Sequence, residues 1–209
     1  MRLVLASNNA KKLAELRVLL APLSLELVTQ GSLAIAEADE PHHSFVENAL
    51  HKARHAARLA DAPALADDSG LCVDALGGAP GVISAHFANV VLPEAPRAAQ
   101  RAAQDAANNA LLIERLRGLA DRGARFVSTL VAVRSAADPE PLIATGRWAG
   151  EVLQAPRGAG GFGYDPLMFI PGVGFTVAEL GADVKNAHSH RALASRQMLL
   201  LMREVWRLG

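Results

Sequence analysis

Leu3-Val4-Leu5-Ala6-Ser7-Asn8-Asn9-Ala10-Lys11-Lys12-Leu13 passes from a short apolar run into a polar, cappable helix start, and that switch decides the fold class. The run Leu3 to Ala6 reads as a buried first strand. Asn9 to Leu20, with Leu13, Leu16 and Leu20 at helical spacing and Pro22 as a stop, reads as a helix. Leu25 to Thr29 is a second strand, and Ser32 to His43 an acidic, irregular loop. Ser44-Phe45-Val46-Glu47 has the pattern of a capping box opening a helix to about Leu59, with Phe45, Ala49, Ala53, Ala56 and Ala60 turned inward. Ala64 to Ala66 and Leu71 to Ala75 are apolar runs on either side of Asp67-Asp68-Ser69-Gly70. An alanine-rich helix over Ala95 to Gly118 follows a glycine loop at Gly77 to Gly81. Phe126 to Val133 and Leu142 to Trp148 read as an antiparallel pair joined at Asp138-Pro139, Thr176 to Glu179 as a short helix, and Ala192 to Leu208 as the closing helix. Strands alternating with helices predict an α/β fold, a mixed sheet flanked by helices, arranged as two lobes around a central cleft within one domain, 1–209.

Composition limits the function classes. A chain of 209 residues with 51% hydrophobic content is long enough to bury a sizeable core. No apolar run approaches the roughly 20 residues that span a bilayer, and the start turns polar too early for a signal peptide. One cysteine, Cys72, has no partner for an internal disulfide and fits a strand as a small hydrophobe. These features suit a cytoplasmic location, without membrane attachment. Net charge is zero, which speaks against tracking nucleic acid, so any phosphate must be held locally. Only Lys11, Lys12, Lys52 and Lys185 are lysines among 21 basic residues, and each lies beside other candidate site residues.

Three segments carry phosphate and metal chemistry. Ser7, Asn8, Asn9, Ala10, Lys11 and Lys12 occupy a strand-to-helix junction, where free N–H groups and the helix dipole favour an anion. An ordinary Ser/Asn helix cap has the same pattern. Ser44, Asn48 and Lys52 share one helix face, either solvated or pointing Lys52 into a site. His51 and His55 have metal-pair spacing but no obvious third ligand. Asp67 and Asp68, in an extended segment, face opposite ways, so one can enter a site as a Mg²⁺ ligand or as the group orienting water. Glu40 is the candidate second carboxylate; an Asp-Gly turn between strands is the competing reading.

Two segments suit a flat base. Gly160-Gly161-Phe162-Gly163-Tyr164-Asp165-Pro166 holds two aromatics in a glycine-rich loop of a chain with 4% aromatics. A flat base could stack on Phe162 or Tyr164 while Asp165 or the backbone reads its edge; core-plugging aromatics in a tight turn are the alternative. Lys185-Asn186-Ala187-His188-Ser189-His190-Arg191 crowds cations and imidazoles before a helix.

In order along the chain, these motifs resemble the inosine triphosphate pyrophosphatase (Ham1/RdgB-like) family of house-cleaning nucleotide hydrolases. The resemblance rests on Ser7-x-Asn9-x-x-Lys12, Ser44-Phe45-x-Glu47-Asn48-Ala49-x-x-Lys52-Ala53, Ala66 to Leu71, Gly77 to Gly81, Gly161 to Pro166 and Ser189-His190-Arg191. It implies hydrolysis of ITP, dITP and XTP between the α- and β-phosphates, releasing the monophosphate and pyrophosphate. By the same resemblance Ser7 to Lys12 and Lys52 hold the phosphates, and Asp68 binds Mg²⁺ and acts as, or orients, the base, with Glu40 as second metal contact. Ser69, Phe162, Gly163, Tyr164, Asp165, Lys185, His190 and Arg191 enclose base and sugar, and a homodimer is implied. His190 and Arg191 are the expected donors to the 6-oxo group, which adenine would leave unpaired.

The sequence departs from the family pattern at three places. Ile83-Ser84-Ala85-His86 stands where Tyr-Ser-Ala-Arg is common, Asn8 replaces a frequent glycine, and His42-His43 replace a smaller pair beside Glu40. Two other functions stay open on the residues alone. A Maf-like hydrolase of another modified nucleotide would show itself in a substrate panel, and a non-catalytic binding module in the absence of turnover.

Overall fold

The computed structural model describes residues 1–91 and 94–208. Its elements in chain order are β1 Arg2–Leu5, α1 Ala10–Leu19, β2 Glu26–Thr29, α2 Phe45–Ala60, β3 Ala64–Val73, α3 Arg97–Arg115, β4 Gly123–Val133, β5 Leu142–Val152, β6 Met168–Ile170, β7 Phe175–Thr176, α4 Ala182–His188 and α5 His190–Val205. The seven strands lie in the order β2-β1-β3-β4-β5-β6-β7. β1 is parallel to β2 and β3, while β5, β6 and β7 pair antiparallel, so the sheet is mixed as expected.

The chain forms two compact units. The first comprises Met1–Ser69, Ser128–Arg147 and Asn186–Gly209; the second comprises Gly70–Val127 and Trp148–Lys185. In the first, strand alternation sorts side chains into two layers. Leu3, Leu5, Leu65, Leu130 and Ala132 pack with Leu16 of α1 and Ala194, Met198 and Met202 of α5. Their neighbours Val4, Ala6, Ala64, Ala66, Val131 and Val133 face the other way, onto Ala49, Ala53, Ala56 and Ala57 of α2. In the second unit Leu71, Val73, Leu112, Leu116, Phe126, Trp148, Tyr164, Leu167 and Met168 form the core. Each fully buried large side chain removes about 1.5–3 kcal/mol worth of apolar surface from water.

Helix starts follow their caps. The Asn9 side chain accepts from the N–H groups of Lys11 and Lys12, at 3.0 and 3.3 Å, and opens α1. Ser44 Oγ accepts from Glu47 N at 3.4 Å and also donates to the Glu47 carboxylate at 2.6 Å, opening α2. Ser189 Oγ caps Ala192 N at 3.1 Å, so α5 begins two residues before the predicted closing helix and already contains His190 and Arg191.

Two readings are corrected, and two strands are added. Asp67-Asp68-Ser69-Gly70 is no turn: β3 runs unbroken through it, because its polar side chains find partners on both faces of the sheet. The segment Lys185 to Arg191 is not one loop before a helix; it ends α4, with Lys185, and starts α5. The strands β6 and β7 escaped the sequence reading, since three and two residues carry no readable period.

Candidate active site

Consecutive carboxylates on β3 serve different faces of the sheet. Asp67 lies on the layer shared with α1 and α5. There it accepts Arg191 Nε at 2.9 Å and Ser128 Oγ at 2.9 Å, and pairs with Lys12 Nζ at 3.2 Å. Burial alone would push this carboxyl up, but the charges of Arg191 and Lys12 and the bonds from Arg191 and Ser128 hold it far below its ordinary value. Burial pushes the Lys12 ammonium down against the pull of Asp67, and Arg191 and Lys52 add repulsion.

Asp68 lies on the layer facing α2. Its Oδ1 accepts Lys52 Nζ at 2.7 Å, and the same ammonium reaches Glu40 Oε1 at 3.1 Å. Burial raises Asp68 above the usual carboxylate range, an effect that Lys52 only partly offsets. Burial would lower Lys52, yet Asp68 and Glu40 together raise it and keep it charged. The solvated-face reading of Ser44, Asn48 and Lys52 is therefore overturned. Lys52 is only 9% exposed, and Asn48 is fully buried, where its side chain binds His42 N and O at 3.0 and 3.1 Å and fastens the acidic loop to α2.

Asp68 Oδ2 is buried with no hydrogen-bond partner among the described residues. An anionic oxygen left so is costly unless a cation or a proton takes it. No group of three or more His, Cys, Asp and Glu among the described residues is placed for a metal, which sets His51 and His55 aside as a metal pair. Asp68 with Glu40 suits a hard cation that draws most of its ligands from water and phosphate oxygens.

At the α1 entrance, Ser7 Oγ accepts from Asn9 N at 3.1 Å, and the Asn8 side chain lies against Gly31. Asn8 is not among the residues with left-handed backbone, so the glycine-like freedom it could supply is unused. Ala10 and Lys11 are exposed on the first turn. Arg191 is corrected most sharply. It is 3% exposed, and its guanidinium binds Asp67, Glu15 and Ser69 Oγ (the last at 3.2 Å), so it braces the site rather than presenting free donors to a base. His190, next to it, is half-buried.

The aromatic loop belongs to the second unit. Tyr164 is buried in the core there, its hydroxyl donating to Ser84 O at 2.8 Å. Burial, then the charge of Asp105, raises its phenol above the ordinary value. Tyr164 is thus corrected from stacking surface to core plug, while Phe162 is half-buried. Asp165 Oδ2 binds Lys185 Nζ at 2.8 Å and Phe162 N at 3.2 Å, bringing three of the expected residues together. His86 ends a 3-10 turn, Gly81–His86, and is exposed.

The Ham1 family model matches residues 3–200. The chain belongs to the Ham1 family. A dITP/XTP pyrophosphatase of Methylibium petroleiphilum is 72% identical over 206 residues, covering 99% of each chain. One of Leptothrix cholodnii is 65% identical and covered in full on both sides. The solved HAM1 protein of Coxiella burnetii has a TM-score of 0.87 at 40% identity, covering 98% of this chain and 100% of that one. The Staphylococcus aureus Ham1 protein has a TM-score of 0.82 at 30% identity, covering 97% and 98%.

Residues that the motifs did not mark hold several of the expected ones in place within each unit. Glu15, one turn beyond Lys12 on α1, holds Arg191; Ser128 on β4 holds Asp67. On α3, Asp105 and Asn109 bind the backbone of Gly163. Their i, i+4 spacing was the available signal, but a pair of polar residues on an exposed-looking helix points to no partner by itself.

Proposed function

We propose that this protein hydrolyses deaminated purine nucleoside triphosphates, dITP and XTP foremost and ITP with them, to the monophosphate and pyrophosphate, and so cleanses the nucleotide pool. The reading is supported by full-length relatives that bear the name dITP/XTP pyrophosphatase. The single observation that carries it is the Asp68–Lys52–Glu40 group with its one open carboxylate oxygen.

In this reading Ser7 to Lys12 and Lys52 hold the triphosphate, and their charges offset the negative charge that grows on it in the transition state. Asp68 Oδ2 accepts a proton from the attacking water, or fixes that water, a role its raised proton affinity favours. Water oxygen bonds to the α-phosphorus as the bond to the bridging oxygen breaks, and pyrophosphate leaves with that oxygen. Asp68 and Glu40 are the residues that would hold a divalent cation, Mg²⁺ in this proposal, which when bound polarises phosphate oxygens and acidifies water. Phe162 offers its face to the base, and Asp165, Lys185, Ser69 and His190 complete the base and sugar contacts.

We further propose that residues 1–209 act as one domain, that the working form is a homodimer, and that it serves in the cytoplasm without nucleic acid. No helix among the described residues is long and apolar enough to cross a membrane. The test is pyrophosphate release from dITP, XTP, dATP and GTP, each with Mg²⁺ and with chelator, alongside sedimentation for the assembly. Metal-dependent turnover of dITP and XTP above dATP and GTP is expected. Equal turnover of all four would remove the base specificity, and none would remove the enzyme.

A further inference from the structure

We propose that Asp105 and Asn109 of α3 are positioning residues that set the ring of Phe162 and thereby the selection of the base; this role rests on the dITP/XTP reading. Gly163 is gripped at both of its backbone polar groups by residues one helical turn apart. Its N–H donates to Asp105 Oδ2 at 2.8 Å, and its carbonyl accepts from Asn109 Nδ2 at 2.9 Å. Gly163 sits at φ +61°, a conformation side-chain-bearing residues rarely adopt, and a Cβ there would meet nothing within 4 Å. Glycine is therefore needed for backbone shape, not for space.

The consequence falls on the residue before it. A peptide is planar, so the planes on either side of a Cα define its φ and ψ. The plane before Phe162 is pinned through its N–H to Asp165 Oδ2 at 3.2 Å, and Asp165 is held by Lys185. The plane after Phe162 is pinned through Gly163 N–H to Asp105, while Asp165 N donates to Phe162 O at 3.2 Å. With both planes held, Phe162 keeps only its side-chain torsions, and a stacked base meets a ring already in place. A third residue of the same α3 face, Asn108, braces the neighbouring aromatic. Its amide donates to Ser84 O at 3.2 Å, the carbonyl that also accepts the Tyr164 hydroxyl. Asn109 makes its bond to Gly163 although its own Oδ1 stays buried and unpartnered among the described residues. That cost is the mark of a group kept for geometry rather than for stability.

The test compares Asp105→Ala, Asn109→Ala and Asp105→Asn with wild type, using kcat and KM for dITP and dATP and hydrogen exchange of the ligand-free loop amides. Each alanine variant should raise KM for dITP about 10-fold and lower the dITP-to-dATP preference by a similar factor, with kcat within about twofold. Exchange at Phe162 and Gly163 should quicken about 10-fold in the same variants, without substrate present. Asp105→Asn, whose amide oxygen still accepts from Gly163, should return close to wild type in every readout. Preference and KM unchanged in both alanine variants, while wild type favours dITP, would overturn the positioning role and leave the functional reading standing. Equal loss in Asp105→Asn would overturn it too, since charge and not the bond would then matter. A wild type that does not favour dITP would overturn the functional reading itself, and the exchange data would still show whether α3 holds the loop.

Discussion

Asp67 and Asp68 are neighbours of one residue type with opposite electrostatic fates. Asp67 is surrounded by Arg191, Lys12 and Ser128 and stays ionised at any working pH; Asp68 has one lysine and an open oxygen, and its proton affinity is raised. Asp68→Asn keeps size and one acceptor but removes the charge and, in the proposed mechanism, the group that takes or orients the water's proton. Hydrolysis of dITP should fall about 10²–10⁴-fold with the fold retained, checked by single-turnover rates and circular dichroism. For Asp67 the sign of the pH effect is fixed by its lowered folded-state value. Its contribution to stability is whole above about pH 4, where the unfolded chain's carboxyl is ionised, and is lost as pH falls from there toward the folded value. Asp67→Asn should cost about 3–5 kcal/mol at pH 7, because it removes the paired carboxylate of buried Lys12 and leaves buried Arg191 with Glu15 alone. It should also flatten the fall in denaturant midpoint between about pH 5 and pH 2, the range over which wild type loses this term.

Elements place these residues, and one glycine shows how tightly. A Cβ on Gly146 of β5 would lie 2.0 Å from His190 O and 2.6 Å from Ala194 N, both backbone atoms of α5. The first turn of that helix carries His190 and Arg191, so its seating on β5 sets where Asp67 and Ser69 are braced. Gly146→Ala forces α5 outward and should lose about 1–3 kcal/mol by denaturant titration. Turnover should fall beyond what reduced stability accounts for at a temperature where the variant remains folded. Caps were the part of this level most open to reading: Asn9 and Ser44 both begin helices where expected. The start of α5 was missed because Ser189 sits among His and Arg residues that read as site chemistry, although its hydroxyl is an ordinary cap.

At the scale of the molecule, zero net charge removes any long-range attraction for polyanions, and the buried cations Lys12, Lys52 and Arg191 are each paired with carboxylates. The protein should therefore show no retention of duplex DNA at about 0.15 M salt in a mobility-shift assay, while still turning over a triphosphate at that ionic strength. The sequence by itself determined the α/β class, the order of most elements, the single buried cysteine and the ordered motifs that mark the family, because period, caps and spacing are local properties. Only the tertiary structure decided which polar residues face which neighbour. It turned Lys52 from a solvated face into the partner of Asp68 and Glu40, committed Arg191 to Asp67, Glu15 and Ser69, and buried Tyr164 while leaving Phe162 half-exposed. It also brought Asp105 and Asn109 to Gly163 across more than fifty residues of chain. The physical reason is that a side chain's charge state and role depend on burial and on partners distant in sequence, and neither is encoded in any window along the chain.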